Sequence, residues 1–554
     1  MLIILTGGGV LLKSVCFEKM FAKRTVICFL TVTVFFFTCI LRVAVAATSD
    51  YSLVQLKQCS YRLKAADLRG TIYDRNMVPL TNAESKIMAA VSPTPRAVTA
   101  ISGVLSGEAL DNVLERLKNG KPVLCEVPKK IDCDGIYCTE VYVHNSSDTP
   151  AIHLVGYTDS DSHGVSGLEK AYDGLLYSEN EAAFIYSKSG NGDILEGAGA
   201  EIENDTAVTA GGVVSAIDIN IQQIAENAAV PIKKGAVLIA ESANSKIRAM
   251  VSRPSFDCTD IAKYLDSPDS PLLNRALAAY NVGSVFKPCI AAAGIESGNG
   301  NFLYTCTGGC EIADRTFKCH KKDGHGLMNL ESGLANSCNT YFYNFAFLIG
   351  GTKIYNKASA LGFGRATEIC NGLSTAAGSM PGRESLSNIA YLANFSIGQG
   401  ELLTSPVTML NLYCSIASDG SYTVPSAVEG TVKDGTYSPY KNNARTEVMK
   451  ESTAQLLREY LSSVIEEGTG TSAKPQTVSA AGKTATAQTG KFVNGVEICE
   501  GWFCGFFPAD KPKYTVIVFS ENTAEQTESC GEVFAKIADG ITELENSGHE
   551  LYNK

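Results

Sequence analysis

The longest apolar stretch of the chain runs from Thr25 to Leu41, is interrupted by Arg42, and resumes from Val43 to Ala47. With its flanks it reaches about 20 residues, enough for a helix to cross a hydrocarbon core of about 30 Å. Lys13, Lys19, Lys23 and Arg24 precede it. Positive charge on that side predicts a short cytoplasmic segment over residues 1–24, a transmembrane anchor over 25–47, and the remainder outside. Ala44-Val45-Ala46 has the small-residue pattern of a signal-peptidase site, but the run is long for a signal peptide and is read as a retained anchor. Met20 is an alternative start, which would still leave a short basic lead. A single crossing is expected, since no second run of this length follows.

Two textures follow the anchor. Over residues 48–215, short strand-like runs (Ile87 to Val91, Val141 to His144, Ala183 to Tyr186) alternate with turn residues. Glycines at Gly197, Gly199 and Gly211-Gly212 close this region, and a domain boundary is expected near residue 215. Beyond it, Ile221 to Ala229 has helical spacing. Gly235 to Ala240 reads as a buried strand, and Ile247 to Val251 as its hairpin partner across Asn244-Ser245. Residues 285–300 and 327–348 are helical by apolar spacing. Trp502 to Phe507 and Tyr514 to Phe519 are strands separated by the turn Pro508 to Pro512, and a last helix is expected from Cys530 to Glu545. Strands at both ends of residues 216–554 with helices between predict an α+β domain whose sheet joins distant parts of the chain.

Composition narrows the function classes. Hydrophobic residues at 45% and charged residues at 19% are globular values, and 554 residues are too many for one typical domain. The net charge of −11 disfavours nucleic acid as a partner, because non-specific binding to it relies on basic surface. No C-x-x-C pair occurs among the 18 cysteines, which argues against a zinc ribbon or a thioredoxin-type motif.

Three short motifs carry candidate chemistry. Ser284 and Lys287 stand at i and i+3 before an Ala-rich helix-forming run, a spacing that puts hydroxyl and amine on one face. A lysine of ordinary pKa, about 10.4, must be shifted by burial or a neighbouring cation to act as a base near neutrality. Several S-x-N triplets occur, starting at Ser178, Ser189, Ser242, Ser297, Ser337 and Ser520. Ser337-Cys338-Asn339 is preferred for its place downstream of Ser284 beside a helical segment. The literal K-S-G, Lys188-Ser189-Gly190, lies upstream of Ser284. Lys483-Thr484-Ala485 lies downstream, just before the Trp502 strand, where an edge strand could form.

This order, with its flanks, resembles the penicillin-binding protein and serine β-lactamase superfamily. Asn274-Arg275-Ala276, Gly283 to Pro288, Gly398-Gln399-Gly400 and Thr404-Ser405-Pro406 are similar to that superfamily's motifs, with Val282 where Pro is usual. Arg69 to Arg75 and Gly167-Leu168-Glu169 resemble pedestal motifs of its class B, monofunctional branch. The resemblance implies a transpeptidase domain over residues 216–554, a mainly extended dimerisation or pedestal domain over 48–215, and a single-pass location in a bacterial cell membrane. It implies a D,D-transpeptidase in which Ser284 attacks a D-Ala-D-Ala stem peptide, Lys287 acts as base and Ser337 relays the proton. It further assigns Asn339, Lys483, Thr484 and Thr486 to substrate binding, and the backbone N–H groups of Ser284 and Thr486 to the oxyanion hole. β-Lactams are implied ligands. A polytopic membrane glycosyltransferase is the implied partner, since no E-D-x-x-F-x-x-H-x-G motif is found. Ala485 stands where the superfamily has Gly; a methyl there is either tolerated or crowds the ligand.

No cofactor is expected, and no metal is assigned to the catalytic residues. A separate group, Cys306, Cys310, Cys319, His320 and His325, is dense enough to be free thiols, a disulfide or a zinc site, although its spacing matches no common finger. Other functions stay open: a D,D-carboxypeptidase or β-lactamase using water as acceptor, a β-lactam receptor, or a scaffold that has lost activity.

Overall fold

The computed structural model describes residues 8–48, 59–189, 191–195, 198–203, 211–440, 444–493, 495–523 and 529–548. Gly190, Gly197 and most of the stretch directly after the expected anchor lie outside them. Helix α1 spans Gly8–Thr48, and its portion Lys19–Val45 is long and apolar enough to cross a membrane. It extends beyond the expected anchor on the N-terminal side. Thr25, Thr31, Thr33 and Thr38 turn their hydroxyls back onto carbonyls one turn earlier, so these polar groups are satisfied within the helix.

The described residues form two compact units that interleave along the sequence. Residues 87–141 and 181–204 fall in the first, with the segment up to residue 66. Residues 67–86, 142–180 and 205–554 fall in the second. The units therefore do not follow a single cut at residue 215. In the first unit, β1 (Ser60–Asp67), β2 (Glu84–Val91), α2 (Pro95–Ser102), α3 (Gly107–Leu117), β3 (Val123–Val127), β4 (Ile136–Val143), β5 (Glu181–Ser187) and β6 (Ala200–Glu203) make two three-stranded sheets, ordered β1-β5-β6 and β3-β2-β4.

The second unit holds α4 (Ile219–Ala228), β7 (Gly235–Glu241), β8 (Ile247–Arg253), α5 (Lys287–Glu296), β9 (Tyr304–Cys306), β10 (Gly326–Met328), α6 (Leu330–Ala335), α7 (Asn339–Ile349), α8 (Pro406–Ala417), α9 (Glu451–Glu466), β11 (Ala481–Val493), β12 (Val496–Phe507), β13 (Tyr514–Ser520) and α10 (Cys530–Asn546). Its main sheet is antiparallel in the order β8-β7-β13-β12-β11, so the first hairpin pairs with strands from the far end of the chain, as the sequence pattern predicts. The β7–β8 turn places Ser245 at φ 55°, with Asn244 Oδ1 accepting from the Lys246 N–H. Strand alternation gives the sheet two buried faces. Val237, Ile239, Phe503 and Val518 pack against Ile221 of α4 and Phe534 of α10. Leu238, Trp502, Cys504 and Phe519 join Phe286, Ile290, Tyr413 and Leu457 in the larger core. A capping box of Ser529 and Glu532 starts α10.

The pedestal-like motifs gain a physical reason here. Arg69 donates to Glu169 at 2.6 Å and pairs with Asp173 at 2.9 Å, while His144 bonds the other Glu169 oxygen at 2.8 Å. Arg69 and Glu169 are both buried. Their charges are kept in the interior by mutual pairing.

One expectation needs correction. Residues 327–348 are not one helical stretch: they are the end of β10, then α6, then α7, with the break at Ser337, whose φ is 51°. Apolar spacing continues through the break because both helices bury the same side in one core, so periodicity alone could not reveal it.

Candidate active site

Ser284 lies in a short 3-10 turn, Gly283–Phe286, that leads into α5. Pro288 in the first turn of α5 suits its missing N–H, and the following alanines favour the helix. The turn is held from several sides. Gly283 N–H donates to Gly398 O at 2.8 Å, Tyr413 OH to Val285 O at 3.0 Å, and Trp502 Nε1 to Asn281 O at 2.8 Å. Glu500 accepts from the Asn281 N–H at 2.7 Å, and Tyr280–Asn281 pairs with Leu403–Thr404. The motif flanks that carried the resemblance are thus the frame around Ser284. Gly283 has φ +66°, and a Cβ there would stand 3.3 Å from Ala485 Cβ and 3.1 Å from Ala487 Cβ. Glycine permits both the left-handed backbone and the close approach of β11.

Lys287 is fully buried, and its ammonium has three partners: Ser337 O at 2.7 Å, Ser337 Oγ at 3.1 Å and Asn339 Oδ1 at 2.8 Å. The left-handed residue at Ser337 turns the chain so that residues on both sides of Cys338 meet one amine. The Phe342 ring lies 5.2 Å from Nζ. None of these hydrogen bonds goes to Ser284, which stands one turn earlier and is half-buried. Burial lowers the Lys287 pKa to about 7, the nearby thiols of Cys338 and Cys319 opposing the shift.

Lys483 lies on β11, the edge strand expected for it, opposite Cys504 of β12. It is also fully buried, and its amine donates to Thr484 O at 3.0 Å and reaches Thr469 Oγ1 at 3.5 Å. Burial, then repulsion from Lys287, holds its pKa well below the usual lysine range. Ala485 and Ala487 point their methyls toward Gly283, while Thr469 Oγ1 stands within reach of both the Lys483 amine and Thr484 Oγ1. Thr484 Oγ1 meets Thr469 Oγ1 at 3.0 Å, and Thr486 is exposed. A cavity of about 470 Å³ opens beside them, lined by Thr469, Thr484, Ala485, Thr486 and Trp502 among others.

The candidate residues therefore fall into a Lys287–Ser337–Asn339 cluster, a Lys483–Thr484 pair, and Ser284 between α5 and β11. Thr469, Phe342, Glu500 and Trp502 were not foreseen. Only Thr469, set between Gly468 and Gly470, carries a local signal of a shaped turn. Lys188 and Ser189 of the literal K-S-G belong to the other compact unit.

The model of the penicillin binding protein transpeptidase domain matches residues 235–541. Stage V sporulation protein D of Bacillus subtilis is 27% identical over 511 residues, covering 85% of this chain and 77% of that one. Peptidoglycan D,D-transpeptidase MrdA of Acinetobacter baumannii is 27% identical over 412 residues, covering 68% of this chain and 60% of that one. Among solved structures, penicillin binding protein 3 from Mycobacterium tuberculosis complexed with aztreonam superposes with a TM-score of 0.63 at 22% identity, covering 88% of this chain and 97% of that one. This likeness shows the same fold.

Proposed function

This chain belongs to the penicillin binding protein transpeptidase family, and from that membership we propose that it cross-links peptidoglycan stem peptides through an acyl-enzyme on Ser284. The observation that carries this reading is the buried Lys287 amine, poised near neutrality one turn from Ser284 and held by Ser337 and Asn339.

In the proposed reaction, Ser284 Oγ bonds to the carbonyl carbon of the penultimate D-Ala and gives its proton to neutral Lys287. The carbonyl electrons move to oxygen, where the N–H groups of Ser284 and Thr486 stabilise them, each donor worth roughly 3–4 kcal/mol in comparable sites. As the carbonyl re-forms, the C–N bond to the terminal D-Ala breaks, and Lys287 returns the proton to the leaving amine through Ser337. The amine of a second stem peptide then attacks the ester, forms the new amide and restores the serine. Asn339 orients the peptide. Lys483, Thr484 and Thr486 recognise the terminal carboxylate, and β-lactams occupy the same place. Helix α1 anchors the chain with the catalytic unit on the outer side. A separate polytopic membrane glycosyltransferase supplies the glycan strands.

The test is a fluorescent penicillin offered to the full chain in detergent, with the label located by peptide mapping and Ser284→Ala as control. Stable label on the Ser284 peptide, absent from the control, is expected. Label elsewhere, or none on folded protein, refutes the assignment. Incubation with a D-Ala-D-Ala stem peptide and an amine acceptor then separates the cross-linked product from simple hydrolysis.

A further inference from the structure

Three cysteines and a histidine from four separate segments converge beside the Lys287 cluster. Cys306 ends β9, Cys319 follows the strand Arg315–Lys318, His325 precedes β10, and Cys338 caps the N-terminus of α7. The pairing of β9 with β10 sets Cys306 opposite Gly326, next to His325. Gly324, at φ +78°, lets this loop close, since a Cβ there would stand 2.2 Å from Cys306 O. The three cysteines are buried.

The distances are those of a coordination shell. Cys306 Sγ and Cys319 Sγ lie 3.5 and 3.6 Å from His325 Nδ1, and Cys319 Sγ lies 3.9 Å from Cys338 Sγ. All four ligand atoms fall within 4.8 Å of one another. A tetrahedron with Zn–S near 2.3 Å and Zn–N near 2.0–2.1 Å has S–N edges of about 3.6 Å and S–S edges of about 3.8 Å. A disulfide needs sulfurs about 2.05 Å apart, and it would leave the third thiol and the histidine unexplained. Thiolate and imidazole select zinc over hard cations. Cys310 and His320, grouped with these residues by sequence, stand outside the set, and Cys338 joins it.

We propose that Cys306, Cys319, His325 and Cys338 bind one zinc ion as a closed structural site that clamps the Ser337–Asn339 turn in place. Cys338 is the middle residue of that triplet, so a ligand bond to its sulfur pins the backbone whose neighbours hold Lys287. The clamping role rests on the function proposed above, but the metal content does not.

The test uses the full chain in detergent, purified under reducing conditions. Elemental analysis is expected to find about one zinc per chain, retained in Cys310→Ser and lost or weakened in Cys306→Ser. Cobalt exchanged into the site is expected to give the visible bands of a tetrahedral ion with thiolate-to-metal charge transfer, independent of catalysis. Stripping with a chelator is expected to slow acylation by fluorescent penicillin tenfold or more, with recovery on adding zinc. Mere traces of zinc after supplementation, or a Cys319–Cys338 disulfide in a non-reduced peptide map, overturns the site. Stoichiometric zinc whose removal leaves acylation unchanged overturns the clamp. Stoichiometric zinc in a chain never acylated leaves the site standing and removes the function above.

Discussion

The pH dependence of acylation follows from the setting of Lys287. Its amine is enclosed, with uncharged acceptors on Ser337 and Asn339, and its pKa falls from 10.5 to about 7. At about 1.4 kcal/mol per pH unit, the interior disfavours the ammonium by about 5 kcal/mol relative to water. If the neutral amine takes the Ser284 proton, the acylation rate follows the neutral fraction. That fraction is about one-tenth at pH 6 and about nine-tenths at pH 8, so the rate should rise nearly tenfold between them and then level off. A lysine of ordinary pKa would instead give a rise of about tenfold per unit up to pH 10. The same shift affects stability. The unfolded chain binds more protons than the folded one between pH 7 and 10.5, so the contribution of Lys287 to stability grows as pH rises through that window. The assay is rapid-quench labelling with fluorescent penicillin at saturating concentration, which separates the rate constant from the carboxylate-dependent affinity assigned to Lys483. Lys287→Arg keeps its charge at every accessible pH and should lose at least about a hundredfold in rate, with no inflection near pH 7. A wild-type rate that is flat from pH 6 to 8, or that climbs unbroken to pH 10, refutes the base assignment.

Two other perturbations read different parts of the structure. Ala485 packs its methyl toward Gly283, so Ala485→Gly should cost about 1–2 kcal/mol of stability from the lost buried methyl and the freer backbone. It should leave the acylation rate within about threefold, and a tenfold faster rate would mean that the methyl obstructs the ligand. Glu169→Gln removes the buried partner of Arg69, leaves only the partly exposed Asp173 to offset its charge, and should cost about 1.5–3 kcal/mol. The fluorescence of Trp502, the chain's single tryptophan, reports this as a lower denaturant midpoint; an unchanged midpoint would show that the pair adds nothing.

The sequence was most legible where chemistry forces both residue type and order. Ser284 with Lys287, the S-x-N triplet, and a lysine on an edge strand near the last strands could all be placed, because turn residues and β-branched runs bound the elements that carry them. The hairpin across Asn244-Ser245 and the helix from Cys530 were legible for the same reason. What could not be read depends on tertiary placement. The break at Ser337 is imposed by what the flanking residues reach, as is the contact of Thr469 with Thr484. Cys338 was hidden inside a motif already given another role. The grouping of residues 67–86 with 142–180 follows from pairs such as Arg69–Glu169, and Arg75–Glu241 ties the former to the residues after 205, all between partners far apart in sequence.

The order β8-β7-β13-β12-β11 also governs when the enzyme can come into being. The hairpin at residues 235–253 is made before half of the chain is complete, yet the strand it must pair with, Tyr514–Ser520, and the Lys483 strand beyond it are made only much later. Until then β7 has an unpaired edge and no sheet face to complete, and closing so long a loop is slow. Ser284 and Lys287 can exist on a nascent chain, but the wall that faces them cannot. On the function proposed above, reactivity toward peptide or antibiotic is withheld until nearly the whole chain has been made, and a ribosome stalled before residue 480 would carry Ser284 without the strand that faces it.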